Sequence, residues 1–205
     1  IRQLILLPFT LILPINLIRY FWHFAMIFLG TFGVYFGLIK VASFKKSTAF
    51  VASLFYLLNF GSIQNFWAPL ETFSAFWGFF PWLIFNLIDY LNSPTTSKLY
   101  KLLILNLFAI PAFYVQTIFI VYCLVLGLIF LLHPKSFPVL IKIALVNSFW
   151  LLPLAYFFFT NLNNPTAGIG NFMSNEETFL RNFARGKISD FLLLRSYYFD
   201  FPKNE

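Results

Sequence analysis

Residues 65 to 82 read NFWAPLETFSAFWGFFPW, and they set one acid, Glu71, just inside an aromatic run long enough to enter a membrane. An ionised carboxylate in hydrocarbon is costly, so such a residue sits at a boundary, lines a wet cavity or carries function. At the first turn of a helix it also complements the positive end of the macrodipole. Facing an outward cavity, Glu71 could bind a cation or hydroxyl groups or take a proton, and Asn65, Trp67 and His23 belong to the same end of the chain's apolar segments. Trp67 also suits an interfacial anchor, and a lone histidine such as His23 is commonly hydrogen-bonded between helices. Asp89, at the other end of the Glu71 segment, has Lys98 and Lys101 within reach as ion-pair partners.

Other chemistry is thinly supplied. One cysteine, Cys123, and two histidines, His23 and His133, cannot build a disulfide or a His/Cys metal cluster within this chain, so no cofactor is expected in it. Gly168 to Gly170 read GIG without a preceding strand and suit a turn, not a phosphate loop. Arg181 and Arg185 could hold a lipid phosphate, since guanidinium groups match that geometry, though a solvated helix face explains them equally well.

The elements that must position these groups follow from composition. The chain of 205 residues is 60% apolar, 22% aromatic and 10% charged, against about 25% charged in a typical soluble domain. That balance points to a membrane protein with the bilayer as its first partner. The net charge of +7 comes from lysines spread through short connectors, which orients helices in a bilayer and does not read nucleic acid. A helical crossing needs about 20 mostly apolar residues. The sequence predicts a span over 20–39, a Pro-broken apolar stretch over 4–18, a helix over 48–63 capped by Ser47 or Thr48, and one over 69–91. A short helix to Ile110, a turn at PAFYVQ, a span over 117–132 and a last one over 139–160 follow.

The expected fold is an all-α polytopic transmembrane bundle of about 5–7 membrane helices over residues 1–160, some of them short or broken at proline. Lysines 40, 45, 46, 98, 101, 135 and 142 fall in alternate connectors and mark the cytoplasmic side, leaving NFWAPLE outside a cell membrane. Residues 161–205 carry five cations and five acids, with a capping-box spacing from Ser174 to Glu177. They read as an extracytoplasmic amphipathic segment or the start of a further domain. The opening IRQLILL, without an initiator Met, suggests a piece of a longer protein.

Three stretches resemble a known family. GTFGVYFGLIKVASFKKSTAFVASLFYLLN, NFWAPLETFSAFWGFFPWLI and LVNSFWLLPLAYFFF, the last followed by FLRNFARGKISDFLLLRSYYF, are similar to segments of GT-C superfamily membrane glycosyltransferases. The likeness is to the arabinofuranosyltransferase-like and YfhO-like proteins. It implies transfer of sugar from a polyprenyl-phosphate donor in cell-envelope glycan synthesis, with that lipid-linked sugar as partner and, in the full-length protein, a divalent cation as a possible cofactor. Glu71 matches the family's outer-loop glutamate, whereas Asn65 is followed by Phe where many relatives have Pro. The family's catalytic Asp belongs to an earlier outer loop that this chain lacks. The rival readings are a lipid-linked substrate transporter or flippase, marked by broken helices, and a non-catalytic membrane scaffold.

Overall fold

The computed structural model describes residues 2–67 and 70–161, and every regular element among them is helical. In chain order these are α1 (Arg2–Leu6), a 3₁₀ turn (Leu7–Leu11), α2 (Ile15–Lys40), α3 (Lys46–Leu58), α4 (Phe60–Trp67) and α5 (Glu71–Asn92). After them come α6 (Thr96–Phe108), a 3₁₀ segment (Ile110–Tyr114), α7 (Gln116–Leu132), a 3₁₀ turn (Pro134–Ser136) and α8 (Phe137–Asn161). Two stretches, Asn16–Lys40 and Pro134–Phe157, are long and apolar enough to cross a membrane, with mean hydropathies of 1.6 and 1.8. The 22 residues of α5 span about 33 Å, but its Asn, Trp, Ser and Pro dilute the apolar run. At 13 residues each, α3 and α6 reach only about 20 Å, short of a hydrocarbon core of about 30 Å.

Proline punctuates the chain as the sequence predicts. Pro14 stands immediately before α2, and Pro111 lies in the break between α6 and α7. That break is no open loop, because Ile110 to Phe113 are all buried, packed against α5, and exposure returns only at Tyr114. The predicted helix over 48–63 is instead two helices. Asn59 ends α3 and starts α4: its Nδ2 donates to the carbonyls of Phe55 (3.1 Å) and Tyr56 (2.7 Å), while its Oδ1 accepts from the Ser62 N–H at 3.0 Å. One amide thus serves the Tyr56 carbonyl at a helix end and the Ser62 N–H at a helix start, orphan positions in their helices, and adds a second donor to the Phe55 carbonyl, which the Asn59 N–H already bonds at 3.0 Å. The first of these helices begins at Lys46 with Lys45 as its N-cap, not at the predicted Ser47 or Thr48, and no side chain caps it.

The chain divides into two compact units, Ile1–Val146 and Asn147–Glu205, with the division inside α8. In the first, α2 and α5 form the central pair. Their contacts ascend together, from Arg19 and His23 against Glu71 and Ser74 to Leu29 and Phe36 against Trp82, so the two helices run parallel and α3 with α4 makes the return. Small residues form the seam. A Cβ on Gly78 would stand 2.7 Å from the Met26 carbonyl oxygen, and one on Gly30 would collide with the Trp77 carbonyl. Backbones in contact are how apolar helices associate where water supplies no drive. Away from the seam α2 exposes Phe24, Phe28 and Phe32 at helical spacing, and Phe36 continues the stripe beside Trp82; exposed apolar surface of this kind marks contact with a membrane or a partner. Leu87, Leu102, Ile129, Val139 and Ile143 build a second cluster among α5 to α8.

A proline inside α5 gives the pair a third partner. Pro81 has no N–H to donate to Trp77, four residues earlier, and the Tyr56 hydroxyl of α3 donates to that carbonyl at 2.6 Å. The Tyr56 ring also stacks on the Trp77 indole, with centroids 4.7 Å apart and planes 19° apart.

In the second unit, Trp150 donates its indole N–H to Asn147 Oδ1 at 3.0 Å, and Thr160 back-bonds to the Tyr156 carbonyl at 2.9 Å.

Candidate functional site

The parallel register gathers polar groups at both ends of the α2/α5 pair. At the end where both helices begin, Glu71 lies in the first turn of α5, as the sequence predicts, and is its first residue, two positions after the predicted start at Pro69, with Leu70 as N-cap and no side-chain cap. Its carboxylate lies 3.6 Å from the Arg19 Nε, and the two side chains are 28% and 57% exposed. Partial exposure keeps the acid wet, and the start of a helix is where a carboxylate is favoured. One turn deeper along α2, Trp22 donates its indole N–H to the Glu71 carbonyl at 3.3 Å. Beside it His23, 3% exposed, places Nδ1 2.6 Å from the Ser74 hydroxyl. Ser74 Oγ is also 3.3 Å from the Leu70 carbonyl. The tautomer of His23 follows from which way the single hydroxyl proton points. If it goes to Nδ1 the histidine carries its proton on Nε2; if it goes to Leu70, Nδ1–H is the donor.

This arrangement sets a wet carboxylate and a guanidinium over a buried imidazole–hydroxyl pair, on the spacing of successive helical turns. It can accept hydroxyl protons at Glu71, donate to an anion from Arg19, and orient both through the rigid seam below. Among the described residues no three His, Cys, Asp or Glu side chains come together to hold a metal ion. Asn65 and Trp67 fall in the last turn of α4, their side chains lying outside the described residues, as do Arg181 and Arg185 altogether. The sequence puts His23 at the same end as Glu71 but does not disclose Arg19 as the partner of Glu71 or Ser74 as the partner of His23. The available signal was periodicity: Arg19, Trp22 and His23 share a helix face, as do Glu71, Ser74 and Ala75.

At the opposite end, Asp89 in the last turn of α5 is held by Lys98, whose Nζ lies 2.7 Å from Oδ1 and 3.2 Å from the Asp89 carbonyl. Lys98 also bonds the Ser93 hydroxyl. Of the two lysines expected to neutralise Asp89, Lys98 makes the bond, helped by the Thr95 cap that starts α6 by accepting from the Lys98 N–H at 3.4 Å. The cation offsets an acid placed where the helix dipole disfavours it.

No family model, no curated protein and no solved structure matches this chain.

Proposed function

We propose that this chain is part of a polytopic membrane protein of the GT-C glycosyltransferase kind, contributing cavity wall and lipid groove to sugar transfer from a polyprenyl-phosphate donor. In this reading the helices number 5–7, the lysine-bearing connectors are cytoplasmic, and the Glu71 end of the α2/α5 pair and the segment from Asn161 face outward. The observation that carries it is the Glu71–Arg19 pair above His23–Ser74, at the end of the helix pair opposite the lysines. Glu71 accepts a proton or hydrogen bond from a sugar hydroxyl, and Arg19 faces the phosphate that departs as the glycosidic bond forms; a positioned base and a cation are what such a transfer asks of a site.

Glu71→Gln in the full-length protein is expected to impair sugar transfer or donor binding while leaving helix content unchanged. Unchanged turnover and donor affinity would remove Glu71 from the site. One observation favours the transport alternative. The break at Ile110–Phe113 is buried against α5, and irregular backbone inside a membrane bundle often lines a substrate path. Movement of a lipid-linked substrate across vesicles without any sugar transfer would select that reading.

A further inference from the structure

The lysine end of the α2/α5 pair holds a cleft of about 60 Å³ that the Asp89–Lys98 pair does not account for. Its walls are apolar, built from Trp82 and Phe85 of α5 and Phe36 of α2, and its mouth carries Lys40 and Lys101. Three helices supply these groups, since Lys40 ends α2 and Lys101 lies in α6. Glycine makes the cleft possible. A Cβ on Gly33 would stand 2.8 Å from the Trp82 indole, and one on Gly37 would collide with the Phe85 ring. Asp89 is the acid of the lining, and it is already bonded to Lys98, so the mouth keeps the charge of Lys40 and Lys101. Both lysines are exposed, and Lys40 Nζ lies 5.5 Å from the centre of the Phe36 ring, which holds the cation at the boundary between ring and water. Deeper in, the largely buried Asn86 amide donates to the Trp82 carbonyl at 2.7 Å.

A helix C-terminus explains why a lysine ends α2. It explains neither Lys101, which comes from another helix, nor the aromatic walls. The volume is far below the roughly 300 Å³ at which pockets begin to enclose whole small molecules, so the cleft takes a charged group whose remainder lies outside. Two cations over apolar walls at a membrane boundary suit an anionic headgroup with its chains alongside the exposed phenylalanines of α2.

We infer that this cleft binds the phosphate of an anionic phospholipid, held by Lys40 and Lys101 with its acyl chains against the Phe36 face of α2. The inference rests on the membrane part of the proposed function and is independent of sugar transfer. Glu71→Gln, at the far end, leaves the lipid site intact, so the two readings fail separately. The test uses the full chain in detergent micelles and measures binding of phosphatidylglycerol and phosphatidylcholine by native mass spectrometry. Phosphatidylglycerol is expected to bind about 30-fold more tightly, from roughly 1 kcal/mol for each of two lysines. The double variant Lys40→Gln/Lys101→Gln should lose most of that preference. Lys45→Gln/Lys46→Gln, which removes two cations at the start of α3 that do not line the cleft, should keep it. Equal binding of the two lipids, or equal loss in both double variants, would overturn the site. So would inorganic phosphate competing as well as the lipid, since a free anion would then suffice and the apolar walls would have no part.

Discussion

Tyr56→Phe tests how α5 tolerates a proline at its centre. Pro81 leaves the Trp77 carbonyl without its helical donor, and the Tyr56 hydroxyl fills the place at 2.6 Å. Phenylalanine keeps the ring and its stack on Trp77 at 4.7 Å, so the substitution removes little besides the hydroxyl. Gly30 packs its backbone against the same carbonyl, which closes one approach by which water could replace it. An unsatisfied buried carbonyl costs about 1–3 kcal/mol, whereas interhelical hydrogen bonds in membranes average about 0.6 and reach about 1.7 kcal/mol. A loss of about 1–1.5 kcal/mol is therefore expected, at the upper end of the membrane range because this acceptor has no helical donor to fall back on. The decisive comparison is Pro81→Ala. Alanine restores an N–H that can bond Trp77, so Tyr56→Phe in that background should cost about 1 kcal/mol less. The assay is a double-mutant cycle on unfolding in mixed detergent micelles, followed by far-ultraviolet circular dichroism. Equal costs in the two backgrounds would show that Tyr56 is not replacing the donor that Pro81 lacks.

Three further substitutions test the same packing and the charge pattern. Gly78→Ala places a methyl 2.7 Å from the Met26 carbonyl oxygen and should destabilise by about 1–3 kcal/mol. Gly127→Ala in α7 meets nothing within 4 Å and should be neutral or stabilising by up to about 1 kcal/mol; the same unfolding assay reads both, and the reverse order would refute the parallel seam. A cysteine at the exposed Ser97 should react with an impermeant thiol reagent only after the membrane is opened, and labelling in intact cells would reverse the proposed orientation.

What the sequence disclosed depended on whether the physics was local. The breaks at Pro14 and Pro111 and the place of Glu71 in the first turn of α5 were legible because proline geometry and helix-start chemistry act within one turn. The break at Asn59 was not legible from hydropathy, because apolar residues continue on both sides of it and its amide serves the Tyr56 carbonyl and the Ser62 N–H that the two helix ends leave over. The lysine for Asp89 was legible as one of two nearby choices, since the partner lies only nine residues on. His23 and Ser74 lie 51 residues apart, and nothing local joins them.

The register of α2 and α5 decides where chemistry can occur. In the middle of the pair the small residues bring backbone against backbone, at Gly78 with Met26 and at Gly30 with Trp77, leaving no width for a charged side chain. Long polar groups are then confined to the two ends. Because the helices are parallel, both starts meet at one end and both finishes at the other. Glu71 therefore meets Arg19 where two helix N-termini favour an acid, and Lys40 approaches the Asp89–Lys98 pair where two C-termini favour cations. An antiparallel pair would have mixed these preferences. The acid-bearing mouth and the lysine cleft are thus two consequences of one glycine seam, and a substitution that widens the seam should disturb both ends together.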